Sequence, residues 1–125
     1  LGWSHQHETL KIVDDQISNP TWARMLAEMA VRVLEKGTDF IAERKGLYHL
    51  AGSGFASRYE WVKEILNLDP NKSEQIATEV LPVKSDAFPL PAQRPTFSAL
   101  NCDFFQETFQ LQIPEWKESL QKAMR

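Results

Sequence analysis

The residues of this chain that could do chemistry are few, and most stand without the partners that chemistry would need. Gly52-Ser53-Gly54-Phe55-Ala56-Ser57 lies between an apolar run and a helix start, and has the outline of a loop that cradles the phosphates of a dinucleotide. Such a loop uses its second glycine for close backbone approach to the pyrophosphate, and a third small residue to pack helix on strand. Here Ser57 takes the third place and is better explained as a helix cap, and no strand ending in an acidic residue follows to hold a ribose. A plain strand-to-helix turn is the simpler reading. Tyr59 and Lys63 stand four apart on one helix face, where an ammonium could lower the pKa of a phenolic general acid. With no nicotinamide site beside them, they read as a solvated face.

His5 and His7 lack the further ligands a metal site needs, and read as a frayed polar terminus; His49 stands apart. Cys102 has no positional partner among the histidines and reads as a buried small residue rather than a nucleophile. Asp14-Asp15 are adjacent in sequence, which does not give the spatial pairing that acid–base catalysis requires. Trp3, Trp22, Trp61 and Trp116 are read as core or domain-interface residues. No catalytic, cofactor-binding or metal-binding residue is therefore assigned to this chain.

Arg94 differs. In Ala92-Gln93-Arg94-Pro95 the following proline holds its backbone extended, at the end of a stretch, Asp86 to Pro95, that carries three of the seven prolines. A guanidinium presented on a stiff loop loses little ordering entropy when it grips a phosphate with two hydrogen bonds. A structural salt bridge fits the same placement, and residue type alone leaves both open.

The elements that would position these groups follow from pattern. Leu10 to Val13 is a short strand rich in branched residues. Asn19-Pro20 reads as a helix start, followed by an apolar stripe of Trp22, Met25, Leu26, Met29, Ala30, Val33 and Leu34 that Lys36-Gly37 ends. Gly46 to Leu50 is expected to be a strand, and Ala51 to Gly54 a loop. Ser57 with Glu60 forms a capping box for a helix that turns Trp61, Ile65 and Leu66 inward and stops near Asn67 to Pro70. Asn71 to Glu79 holds at most a helical turn, Val80 to Val83 a strand, and short helices start near Asp103 and Pro114, the second with Trp116 and Leu120 inward. Strands alternating with helices indicate an α/β or α+β layer, a small lobe of few short strands with four to five helices, too few strands for a complete doubly wound sheet.

Size and charge bound the rest. A chain of 125 residues makes one domain around one core. The 14 basic residues are scattered in a chain of net charge −3, which argues against a nucleic-acid partner. No apolar run exceeds three residues, far short of the roughly 20 that a membrane helix needs. The single cysteine permits no internal disulfide, fitting a reducing cytoplasm. Leu1 is not an initiator methionine, and the favoured explanation is a piece of a longer protein.

Three stretches read together resemble the C-terminal half of the dTDP-4-dehydrorhamnose reductases, within the extended short-chain dehydrogenase family. They are Asp15-Gln16-Ile17-Ser18-Asn19-Pro20-Thr21 before an amphipathic helix; Gly46-Leu47-Tyr48-His49-Leu50-Ala51-Gly52, with Ser57-Arg58-Tyr59-Glu60 after it; and Ala92-Gln93-Arg94-Pro95-Thr96-Phe97-Ser98-Ala99-Leu100, with Pro114-x-Trp116-x-x-x-Leu120 beyond. The resemblance implies that residues 1–125 are a C-terminal substrate-binding domain whose N-terminal Rossmann partner, holding NADP(H) and a catalytic Tyr-x-x-x-Lys, lies outside this chain. The whole enzyme would reduce the C4 ketone of dTDP-4-dehydro-L-rhamnose with NADPH to give dTDP-L-rhamnose, and this chain by itself would not turn over. Arg94 would lie near the nucleotide diphosphate, with Gln16 to Thr21 along the cleft wall, so that Arg94, Gln16, Thr21 and Ser98 are the expected substrate-binding residues. A homodimer through an exposed apolar face is the further partner implied. A regulatory, non-catalytic module on the same lobe, like the regulatory subunit of methionine adenosyltransferase, is the alternative. Two positions depart from the family pattern: Ser18 stands where relatives have glycine, and Phe104 where many have lysine.

Overall fold

Strand β1 (Thr9–Val13) and strand β4 (Glu79–Val83) form a two-stranded parallel sheet, in register from Thr9 opposite Glu79 to Val13 opposite Val83. The computed structural model describes all residues, Leu1–Arg125. A turn of 3-10 helix, Gly2–His5, closes the start of this sheet: the carbonyl of buried Ser4 accepts from the N–H groups of Ile76 and Ala77 (2.9 and 3.0 Å). Helix α3 (Arg58–Leu68) lies against both strands. It starts as the capping box requires, with the Glu60 N–H donating to Ser57 Oγ (3.1 Å) and the Ser57 N–H to the Glu60 carboxylate (2.8 Å).

The second layer is helical. Helices α1 (Ala23–Leu34), α2 (Thr38–Ala42) and α4 (Asp103–Phe109) surround a core of Met25, Met29, Phe105, Phe109 and Ile113, with Trp22, Phe40, Tyr48 and Leu50 packed on it. Phe109 is the hub: its ring lies 5.0 Å from Phe105, 4.9 Å from Tyr48 and 6.4 Å from Phe40. Helix α5 (Trp116–Ala123) packs on α3 and buries Trp116. Two short strands, β2 (Ile17–Ser18) and β3 (Ala56–Ser57), pair antiparallel at the seam, where Ile17 also bridges to Phe97. The mixed α/β class and the count of five helices agree with the sequence reading.

Four local expectations are corrected. Helix α1 begins at Ala23 with extended Trp22 as its N-cap, not at Asn19-Pro20. The Asn19 side chain is engaged elsewhere, donating to the Gly54 carbonyl (2.7 Å) and accepting from the Leu100 N–H (2.6 Å). Residues 46–50 form no strand, because no neighbouring strand offers a ladder. Their alternation survives as packing: Tyr48 and Leu50 turn toward the helical core while Leu47 is exposed. The amino-terminal end is ordered against the sheet rather than frayed, with Ser4 fully buried. Leu34, placed in the apolar stripe of α1, is exposed in its last turn. Ser18 sits in extended β2, so the departure from glycine there meets no left-handed backbone.

Candidate functional site

Because β1 and β4 are parallel, both carboxyl ends open on one edge of the sheet, the place where α/β layers bind ligands. The segments leaving the two strands are cinched together there. Lys84 Nζ donates to Asp14 (2.9 Å); the Asp15 carboxylate accepts from both the N–H and the hydroxyl of Ser85 (3.0 and 2.6 Å); and Gln16 Nε2 donates to Ser85 Oγ (2.9 Å). The Ser85 hydroxyl and N–H hold the Asp15 carboxyl below the usual carboxylate range, and Asp14 raises the Lys84 ammonium above its usual value. The adjacent aspartates thus serve separate structural ties, as their sequence adjacency allowed.

Beside this cinch lies a cavity of about 700 Å³, walled by β1, the inner face of α3, the amino-terminal turn and the proline-rich loop. Its lining is mostly apolar and includes Trp3, Trp61, Phe88 and Leu90. Its polar groups are Gln16, Ser85, Ser4, Lys11, Arg58 and Arg94, and no aspartate or glutamate reaches it. Neither Arg58, Arg94 nor Lys11 enters any of the ion pairs of the molecule. Three basic residues that enter no ion pair thus line one concave surface of an acidic protein.

Of the four residues expected to bind substrate, the fold brings Arg94 and Gln16 to this cavity and leaves Thr21 and Ser98 outside it. Thr21 Oγ1 accepts from the Gly52 N–H (3.0 Å) and donates to the Asn19 carbonyl (2.9 Å). Ser98 donates through its N–H and its hydroxyl to the Ile17 carbonyl (2.9 and 3.3 Å). Both stitch the wall that carries Gln16 rather than face its opening. The cavity also holds residues the sequence reading passed over: Arg58, Ser85, Phe88 and Leu90. For Arg58 a signal existed. Arg58, Trp61, Val62, Ile65 and Leu66 form one stripe along α3, and that stripe faces the cavity. Trp61 is accordingly 40% exposed and not a core residue, and Trp3 is 70% exposed.

The glycine-rich loop packs closely on the protein itself. A Cβ at Gly52 would run into the Pro20 carbonyl oxygen, and one at Gly54, whose φ is +77°, would meet the Glu115 carboxylate and the Trp116 ring. The close approach those glycines permit is to the protein's own backbone and side chains. A smaller hollow of about 360 Å³ beside this loop is rimmed by Phe55 and Phe97, which meet edge to face with centroids 5.7 Å apart. No three His, Cys, Asp or Glu side chains are grouped as metal ligands would be. Elsewhere, buried Asp69 accepts from Gln75 Nε2 (2.6 Å) and the Asn71 N–H (3.0 Å), which hold its carboxyl below the usual range, with His5 Nε2 at 3.9 Å.

The family described as the RmlD substrate binding domain matches residues 1–125. A dTDP-4-dehydrorhamnose reductase of Burkholderia thailandensis is 28% identical, the alignment covering 100% of this chain and 44% of that protein. One from Escherichia coli is 30% identical over 99% of this chain and 41% of its own length. Among solved structures, a dTDP-4-dehydrorhamnose reductase from Clostridium acetobutylicum superposes with a TM-score of 0.80 at 30% identity, covering 97% of this chain and 39% of that one. A Bacillus anthracis reductase in complex with NADP gives 0.78 at 26% identity, with the same coverage. The chain spans about two-fifths of the length of the relatives it matches.

Proposed function

The chain belongs to the family of RmlD substrate binding domains, and from that premise we propose that its cation-lined cavity binds a dTDP-linked 4-dehydro sugar for reduction to dTDP-L-rhamnose. The observation that carries the reading is Arg94 and Gln16 sharing one cavity, free of any carboxylate, that runs along β1 to its carboxyl end. Arg94 neutralises the diphosphate, and the apolar wall of Trp3, Trp61 and Phe88 covers sugar or base and keeps water out. Gln16, fixed by Ser85, offers its remaining polar capacity at the wall, and Thr21 and Ser98 act by holding that wall in place.

In this reading residues 1–125 are the C-terminal lobe, and a Rossmann domain outside this chain supplies NADP(H), the hydride and the Tyr-x-x-x-Lys acid. The lobe's own task is to present the sugar, and alone it does not turn over. Exposed apolar side chains such as Leu47, Phe55 and Phe97 are available to a second domain or a second copy of the chain.

Calorimetric titration with dTDP tests the proposal. The chain is expected to bind saturably, and Arg94→Ala to weaken binding by roughly 1.5–3 kcal/mol, the worth of a hydrogen bond to a charged group. Unchanged affinity in that variant removes Arg94 from the site. NADPH should give no saturable fluorescence change, and a saturable one would overturn the domain assignment.

A further inference from the structure

Gln16 lines the cavity, and which of its two amide atoms it offers a ligand is settled by its neighbours. The Ser85 hydroxyl lies 2.6 Å from Asp15 Oδ1, and the Ser85 N–H donates to the same carboxylate (3.0 Å). Those bonds hold the Asp15 carboxyl below the usual carboxylate range, so at neutral pH it is ionised and can only accept. The hydrogen between the two oxygens is therefore the serine's, and it is committed to Asp15. Ser85 Oγ is left with lone pairs alone. The Gln16 atom 2.9 Å away must then be the amide nitrogen, since a carbonyl oxygen there would set lone pairs against lone pairs.

The backbone around this relay is pinned. The Asp14 N–H donates to the Val83 carbonyl (3.0 Å), Lys84 Nζ to Asp14 (2.9 Å), and the Arg58 N–H to the Gln16 carbonyl (3.2 Å). Gln16 Oε1, by contrast, has no partner in the protein and is not sealed from solvent. We propose that Asp15 and Ser85 are positioning residues that turn the Gln16 amide so that its carbonyl oxygen faces the cavity, making this wall a reader of a hydrogen-bond donor, a hydroxyl or a ring N–H, on the bound ligand. The inference rests on the nucleotide-sugar reading of the same cavity and adds to it the polarity of one contact and the two residues that set it.

The experiment is a pair of double-mutant cycles, read by calorimetric titration of the 125-residue chain with dTDP and with dTDP-L-rhamnose. Gln16→Leu should weaken binding about fivefold, the worth of one neutral hydrogen bond. A loss already present with dTDP places the donor on the nucleoside, and a loss confined to dTDP-L-rhamnose places it on the sugar; either supports the proposal. Asp15→Asn lets position 15 donate to Ser85 and frees the hydroxyl for the amide oxygen, and Ser85→Ala removes the relay with no change of charge. Each should weaken binding at least about threefold more in the parent than in the Gln16→Leu background. The charge lost in Asp15→Asn acts alike in both backgrounds, so the difference between them isolates the amide. Thermal melts should fall with Asp15→Asn in both backgrounds, showing the folding effect where the binding effect is absent. Equal losses in the two backgrounds, or Gln16→Leu within about twofold of the parent for both ligands, would overturn the positioning role and leave the nucleotide-sugar reading standing. A parent chain that binds neither ligand would overturn both.

Discussion

Gly52 shows how one residue can carry a motif's look and a different motif's physics. Its hydrogen faces the Pro20 carbonyl so closely that a methyl group has nowhere to go. Gly52→Ala should therefore destabilise the fold by about 1–3 kcal/mol, as overpacking does, read as a lowered midpoint in urea. Titration acts at the same scale. Asp15 and Asp69 are both held below the ordinary carboxylate value of 3.8 by hydrogen bonds that unfolding removes. The unfolded chain therefore takes up protons first on acidification, and the stability these groups contribute, whole above the unfolded value, is lost as pH falls through it toward the lower folded values. Melting temperature should drop as the pH goes below about 4, and Asp15→Asn with Asp69→Asn should flatten that drop. Lys84 works at the other end: its raised value gives a contribution present below 10.5 and lost as pH climbs through the folded value.

Among the elements, those written in local chemistry were legible. Ser57 and Glu60 announce α3 because each satisfies a backbone donor of the other, a transaction among neighbours. Ser57→Ala should cost about 1 kcal/mol, within a range of 0.5–2, in equilibrium unfolding, and Glu60→Gln less, since glutamine can still accept from the cap N–H. Gly37, at φ +91°, turns the chain just past α1, whose C-cap is Glu35, and serves as the N-cap of α2. What failed was what depends on distant partners. Residues 46–50 carry a strand's alternation, but a strand exists only where another offers a ladder. Asn19 has a capping side chain, yet Gly54 and Leu100, far off in sequence, claim it first. The cavity divides the same way. Arg94 was visible through its stiffening proline, whereas Arg58 needed the knowledge that the apolar stripe of α3 faces an opening instead of a core.

Over the whole molecule, the buried apolar core lies in the helical layer and turns on Phe109, buried among Phe105, Tyr48 and Phe40. Phe109→Ala should remove about 3–5 kcal/mol, a large part of the 5–15 kcal/mol typical of a domain, and leave a chain that melts broadly or not cooperatively in circular dichroism. Arg94→Ala, by contrast, should leave the melt untouched, since Arg94 is exposed and enters no ion pair, so that a binding defect and a folding defect separate.

The pairing of Thr9 with Glu79 bears on how this molecule is born. Within this domain β1 can pair only once residues 79–83 exist, and Met25 and Met29 can be buried only once Phe105 and Phe109 do. Residues 1–78 alone complete neither the parallel sheet nor the helical core, so closure of such long loops makes folding of the domain a late, near-simultaneous event, slower than for a helical bundle of equal size. Nascent chains halted before the final helices should leave this domain protease-sensitive, and translation pauses there would prolong a vulnerable interval rather than assist assembly.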